Sequence, residues 1–290
     1  MLKTRVITAL VMLGILIPAL FLLPPRAWAM LMLVVVAAAG WEWGRLCGFK
    51  PVGAVLLGLL VAASAGALLL LSPAAAPESR SPVEEAGETL IYLASAVWFL
   101  VIPLWFRWRR HAPKGIVLAA LGWLLLLACW YAVWKFRETG ALYLFLLMGT
   151  VWIADMAAYA AGRRFGRRKL APAISPGKTW EGVAGAVVGV QVYAILLLLL
   201  ESAAPAWFAN YFGSLAARLG VGGTLLAALL LTAVSVVGDL FESLLKRRVN
   251  LKDSSGLLPG HGGVLDRIDA LISTLPVAFA LVALIALASH

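Results

Sequence analysis

The feature that most restricts this chain is a succession of apolar stretches, each long enough to cross a lipid bilayer. A helix needs about 20 predominantly apolar residues to span the hydrocarbon core. Nine stretches meet that requirement: 6–23, 27–46, 52–71, 89–106, 116–134, 141–161, 183–200, 221–240 and 270–288. Lipid offers no water to backbone N–H and C=O groups, so a continuous apolar run satisfies them internally as a helix. The expected fold is therefore all-α, a polytopic integral membrane bundle of about nine transmembrane helices. The second and third stretches are close enough to form a re-entrant pair instead.

Composition agrees. Apolar residues make up 63% of the 290 positions, charged residues 13%, and mean hydropathy is +0.96. A soluble domain carries about 25% charged residues, so a separate soluble domain is not expected. Lys3, Arg5, the first apolar stretch and Ala27-Trp28-Ala29 imitate a cleavable leader. The stretch is longer than a leader core and Arg26 interrupts it, which favours an uncleaved first span. Cys47 and Cys129 fall at the end and in the interior of spans, with neither disulfide nor metal spacing.

The net charge of +10 raises the question of a polyanionic partner. With the N-terminus inside, 19 of the 24 Lys and Arg residues fall on the inner side of the membrane. The positive-inside bias produces that distribution without any nucleic acid, and it orients the chain N-terminus in and C-terminus out. The segment 72–88, rich in Ser, Pro, Ala and Glu, then lies outside as a flexible connector. All five aspartates (Asp155, Asp239, Asp253, Asp266, Asp269) lie on the inner side or at inner helix ends.

The chain divides into N-terminal helices (1–140) and a C-terminal catalytic region (141–290) with two polar inner segments, 155–182 and 239–269. Both combine carboxylates, cations, glycines and hydroxyls. Asp239 ends the eighth span, and Asp266 with Asp269 opens the ninth. Carboxylates meeting from two helix ends suit Mg²⁺, which takes oxygen ligands and keeps positions open for water and phosphate. Lys246, Arg247, Arg248 and Lys252 suit phosphate oxygens. The run Pro259-Gly260-His261-Gly262-Gly263 lets backbone approach a ligand closely. Each feature also has an ordinary explanation: lipid headgroup contact for the basic cluster, helix capping for Asp266 and Asp269, and an i,i+4 pair for Glu242 and Lys246. Asp239 is harder to dismiss, because a carboxylate at membrane depth is costly and usually functional.

From Ser243 to Asp269 the pattern S-x-L-K-R-x4-K-D-x-S-x2-L-P-x-H-G-G-V-x-D-R-I-D resembles the signature of phosphatidate cytidylyltransferases, with no departure. Asp155, Ala158-Tyr159, Gly162-Arg163, Phe165-Gly166 and Ser175-Pro176-x-Lys178-Thr179-Trp180-Glu181-Gly182 are similar to that family too. Many members carry a second lysine where this chain has Gly177. The N-terminal half resembles the family only in hydropathy.

The resemblance implies transfer of CMP from CTP to phosphatidic acid, giving CDP-diacylglycerol and pyrophosphate at the cytoplasmic face of the cell's inner (plasma) membrane. Two anions must be brought together, so positioning and charge neutralisation carry the chemistry. Asp239 and Asp266 are the expected Mg²⁺ ligands, a second cation being a further candidate, with Asp269 and Asp155 nearby. Lys246 and His261 complete the catalytic set, His261 as a donor to pyrophosphate. Ser175, Lys178, Thr179, Arg247, Lys252, Asp253, Gly262, Gly263 and Arg267 are the expected substrate contacts. Membrane lipid and a second copy of the chain are the expected partners. The rival readings are an ion-coupled transporter and a CTP-dependent polyprenol or dolichol kinase, which releases CDP instead.

Overall fold

The computed structural model describes residues 2–73, 81–107, 114–204 and 206–288. Arg80, Arg109 and Arg110, which entered the charge count, lie outside them. The described chain runs α1 (Leu2–Leu22), α2 (Pro25–Leu46), α3 (Pro51–Leu71), α4 (Pro82–Ala96), a π-helical turn (Val97–Val101), α5 (Ile102–Arg107), α6 (Gly115–Thr139) and α7 (Ala141–Phe165). It continues through β1 (Lys169–Ala171), β2 (Ser175–Thr179), α8 (Trp180–Ala203), a 3-10 turn (Ala206–Phe208), α9 (Tyr211–Arg248) and α10 (Leu265–Ala288). Eight helices among the described residues are long and apolar enough to cross a membrane, and α1 adds a shorter apolar stretch, Val6–Leu22. The chain is an all-α polytopic membrane protein, apart from one small hairpin.

Local chemistry explains the helix starts. Pro25, Pro51 and Pro82 open α2, α3 and α4, where the missing N–H costs nothing and the fixed φ is already helical. Ser81 and Glu84 form a reciprocal capping box on α4. The expected connector 72–88 therefore ends inside a helix, because Pro82 and this cap start one before the apolar residues begin.

The second and third stretches form two closely packed helices, α2 and α3, each long and apolar enough to cross a membrane. A Cβ on Gly44 would lie 2.6 Å from Ala54 Cα, and one on Gly58 2.5 Å from Ala37 O. Small residues let these backbones approach as closely as membrane helices do. A similar seam joins α7 to α8, where a Cβ on Gly185 would meet that of Ala161 at 2.3 Å.

Helix ends sort into two layers. Arg26, opening α2, donates to Ser72 O at the end of α3, and Arg137, ending α6, donates to Leu20 O and Leu23 O at the end of α1. At the opposite layer Arg45, ending α2, donates to Ser254 O (2.7 Å), and Thr8 near the start of α1 donates to Pro259 O (2.9 Å). Three tryptophans, Trp43, Trp98 and Trp105, surround Phe241 with ring centroids 5.4–6.2 Å away. They fix α9 against α2 and the π-helical turn beside the polar segments.

Two expected boundaries shift. α9 turns at Gly220 (φ 67°) and runs on to Arg248, so Glu242 and Lys246 to Arg248 are helical. α10 begins at Leu265, which places Asp266, Arg267 and Asp269 in its first turns. The first polar segment, expected without strands, forms an antiparallel hairpin pairing Lys169 with Thr179 and Ala171 with Ser175.

Candidate active site

The hairpin closes one end of a cavity of about 510 Å³ between α7, α8 and α9. Asp155, Tyr159 and Arg163 reach it from α7, Ser175, Lys178 and Thr179 from β2, and Asp239 from α9. The two polar segments meet here through an ion pair between Lys178 and Asp239.

Several local devices hold the hairpin in place. Glu181 accepts from the backbone N–H groups of Arg167 (3.1 Å) and Arg168 (3.2 Å). Thr179 is the N-cap of α8, accepting from Gly182 N at 3.1 Å. A capping oxygen used as an acceptor keeps its own proton, so Thr179 can still donate into the cavity it lines. Arg247, expected on phosphate, donates instead to Ile174 O (3.3 Å) at the hairpin turn. Gly177 also lines the cavity, and a Cβ there would have nothing within 4 Å.

Asp155, Asp239 and Asp269, from α7, α9 and α10, lie within electrostatic range of one another. Glu242 adds a further carboxylate facing Asp269, balanced by its ion pair with Lys246. Negative charge gathered in this way invites a cation. Among the described residues no group of three or more His, Cys, Asp or Glu side chains is placed to hold a metal ion by itself.

Asp266 sits differently. Its carboxylate pairs with Lys246 (2.7 Å) and accepts from Ser254 N (3.0 Å), Ser254 Oγ (3.0 Å) and Gly263 N (2.8 Å). With a side chain only 6% exposed, it organises the loop before α10 rather than facing the cavity. Its place in the first turn of α10 also suits the positive end of that helix.

The same loop exposes a residue that sequence reasoning missed. Glu42 of α2 is fully buried. It accepts from Val264 N (3.0 Å), Leu265 N (2.6 Å), Ser254 Oγ (3.1 Å) and Ser255 Oγ. A carboxylate inside an apolar stretch is expensive unless it has work, and that signal was present in Trp41-Glu42-Trp43.

The glycines of the loop answer to these carboxylates. Gly260 and Gly262 take φ of 77° and 84°, which favours residues without a Cβ. A Cβ on Gly263 would fall 2.0 Å from Ser254 Oγ and 2.3 Å from Glu42 Oε1. Close approach is needed, as expected, but the approaching groups are the protein's own side chains. Arg267 donates to His261 O (2.6 Å), and the buried His261 Nδ1 has no hydrogen-bond partner among the described residues. Lys252 and Asp253 are exposed on the loop. None of His261, Lys252, Asp253 and Arg267 lines the cavity.

Residues 3–285 match the model of the cytidylyltransferase family. The chain belongs to that family. It is 38% identical to a phosphatidate cytidylyltransferase of Pseudomonas aeruginosa, the match covering 97% of each chain. It is 33% identical to one from Haemophilus influenzae over 95% of this chain and 96% of the relative. A Brucella suis relative of the same name is 32% identical over 94% of this chain and 90% of its own. This cytidylyltransferase is therefore a nucleotidyl-transferring enzyme of the membrane. The match extends to its N-terminal half, where Glu42 stands, so the likeness is not confined to the C-terminal motif.

Proposed function

We propose that this chain joins CTP to phosphatidic acid, forming CDP-diacylglycerol and pyrophosphate, in the cavity where Lys178 meets Asp239. The observation that carries this reading is the convergence of cations, hydroxyls and carboxylates from both polar segments on one cavity between membrane helices. CTP and pyrophosphate are water-soluble anions, whereas phosphatidate and the product stay in the bilayer. A polar cavity at one layer of helix ends serves both. The positive-inside bias supports that layer as the cytoplasmic one, in the bacterial inner membrane.

A phosphatidate phosphate oxygen attacks the α-phosphorus of CTP. The new P–O bond forms as the bond from the α-phosphorus to the bridging oxygen breaks, and pyrophosphate leaves with the electron pair. The nucleophile is already an anion, so a strong base is unnecessary. Lys178 and Arg163 offset phosphate charge in the cavity, and Ser175 and Thr179 offer hydroxyl donors. Charges and donors already in place at the reacting phosphates need little reorganisation as charge moves.

Mg²⁺ is the cation this reading calls for: Asp155, Asp239 and Asp269 lie within electrostatic range of one another, and since no three side chains among the described residues are placed to hold an ion by themselves, phosphate and water would complete its shell. An open arrangement of a few carboxylates, completed by substrate phosphates and water, is typical for this ion. Asp239, on giving up Lys178 to phosphate, would hold it with Asp155 and Asp269 near by. Asp266 would join only by releasing Lys246 or the loop. When bound, the ion would neutralise charge on the triphosphate. Lys246 acts on the site through Asp266 and Glu242, and His261 through the shape of its loop.

Purified protein supplied with phosphatidate and CTP labelled on the α- or γ-phosphate tests the reaction. The expected result is α-label in the lipid phase and γ-label in pyrophosphate. Transfer of γ-label to lipid with release of CDP would make the chain a kinase, and transport without either would make it a carrier.

A further inference from the structure

We infer that a second, apolar cavity beneath the carboxylates receives an acyl chain of the lipid substrate. The inference deepens the proposed reaction and rests on it. The cavity has a volume of about 170 Å³, lies between α1, α2, α6, α7 and α10, and is open on the side of α1. Its walls are almost wholly apolar, and among them is the buried Cys129 of α6.

Its position relative to the reacting centre identifies the occupant. On α7 the wall is formed by Phe145, Met148 and Trp152. These residues are spaced three and four apart, so they form one stripe of the helix. The next residue of that stripe is Asp155, which lines the polar cavity. Trp152, Met148 and Phe145 lie roughly 4, 10 and 15 Å from Asp155 along the helix axis, on the side away from the hairpin. On α10, Ile268 and Leu271 line the apolar cavity on either side of Asp269 in sequence.

The two cavities therefore line successive turns of α7, Trp152 on the apolar one and Asp155 on the polar one. One extends toward the hairpin end and the other toward the middle of the helices. A lipid whose phosphate lies beside Asp155 and Asp239 must point its chains away from the hairpin, along this stripe. An acyl chain has no polar atoms to satisfy, and the walls offer almost none. The free energy of withdrawing methylenes from water contributes nothing inside a bilayer, so the cavity acts through packing and orientation. It selects how the phosphate is presented more than how tightly the lipid is held.

α1 supplies the outer wall through Leu13, Leu16, Ile17 and Leu20. Much of the rest of α1 is exposed, including Ile7, Leu10 and Leu22. A lightly packed helix between the cavity and the surrounding lipid is a natural place for a chain to enter.

Two measurements on the full-length protein in lipid nanodiscs test the assignment. In the first, phosphatidate with a photoactivatable diazirine in mid-chain is crosslinked and the labelled peptides are mapped. Label in the peptides containing Leu13 to Leu20 and Leu126 to Val133, reduced by excess unlabelled phosphatidate, is expected. Label that excess phosphatidate does not displace, or label confined to outward-facing positions, would overturn the inference. In the second, Cys129→Phe is compared with wild type on dioleoyl and dihexanoyl phosphatidate. The narrowed cavity should lower kcat/KM for the long-chain substrate roughly tenfold while changing that for the short-chain one less than about twofold. Val188→Phe, on the exposed face of α8, should alter neither. An equal loss on both substrates for Cys129→Phe, with a normal crosslinking pattern absent, counts against the pocket. Crosslinking reads binding without turnover, so competed labelling in a chain that makes no CDP-diacylglycerol would remove the reaction and leave the pocket.

Discussion

Lys178 on the hairpin and Asp239 on α9 form an ion pair across the polar cavity. Each lies in a different polar segment, so the pair joins the two segments at one cavity.

Lys178→Met removes the cation from that pair while keeping most of its length. Loss of a preorganised charge at a reacting phosphate should lower kcat/KM roughly 10²- to 10³-fold. Steady-state kinetics with varied CTP checks this. Lys178→Arg should retain part of the activity, because charge persists while geometry changes.

Gly177→Lys offers a gain of function. The position lines the cavity with open space around a new Cβ, and many family members have lysine there. The added charge should lower KM for CTP by roughly threefold, an effect that shrinks as salt rises. Measuring KM at two ionic strengths separates an electrostatic gain from a change in packing.

Glu42→Ala would leave the N–H groups of Val264 and Leu265 and the hydroxyl of Ser255 without their acceptor, while Ser254 Oγ could still donate to Asp266. Each buried donor without a partner costs about 1–3 kcal/mol. Thermal unfolding in detergent should show a clear loss of stability, accompanied by loss of activity as the loop before α10 loosens. Glu42→Gln keeps one acceptor oxygen and should fall between Ala and wild type.

Gly263→Ala places a methyl group against Ser254 Oγ and Glu42. Forcing extra volume into a packed position costs about 1–3 kcal/mol, so the variant should unfold earlier and lose turnover. Gly256→Ala in the same loop meets nothing within 4 Å and should behave like wild type in the same assays.

Much of this was legible in the residues. Apolar runs of bilayer length define helices whatever their neighbours, which is why each expected span falls on a helix, although α4 starts at Pro82 and α9 extends from Tyr211 to Arg248, well beyond the apolar runs. That Asp155 and Asp269 stand near Asp239 was expected from two segments with matching chemistry, whereas the ion pair of Lys178 with Asp239 was not, because Lys178 was expected on phosphate. The hairpin was not legible, because three- and five-residue strands rest on one turn and on Glu181 gripping two N–H groups. Asp266 looked like an open ligand because sequence spacing cannot show that Lys246, Ser254 and Gly263 occupy its oxygens. Glu42 was overlooked because it stands in a span far from the polar segments, and only packing of α2 against α10 brings it to the loop.

The account depends most on Asp239 as the carboxylate shared by cation and cavity. Its direct test is the rate of lipid labelling from α-phosphate-labelled CTP, at saturating Mg²⁺, by Asp239→Asn inserted in membranes to the same level as wild type. A fall of roughly 10²-fold or more is predicted, and a rate close to that of wild type would contradict it.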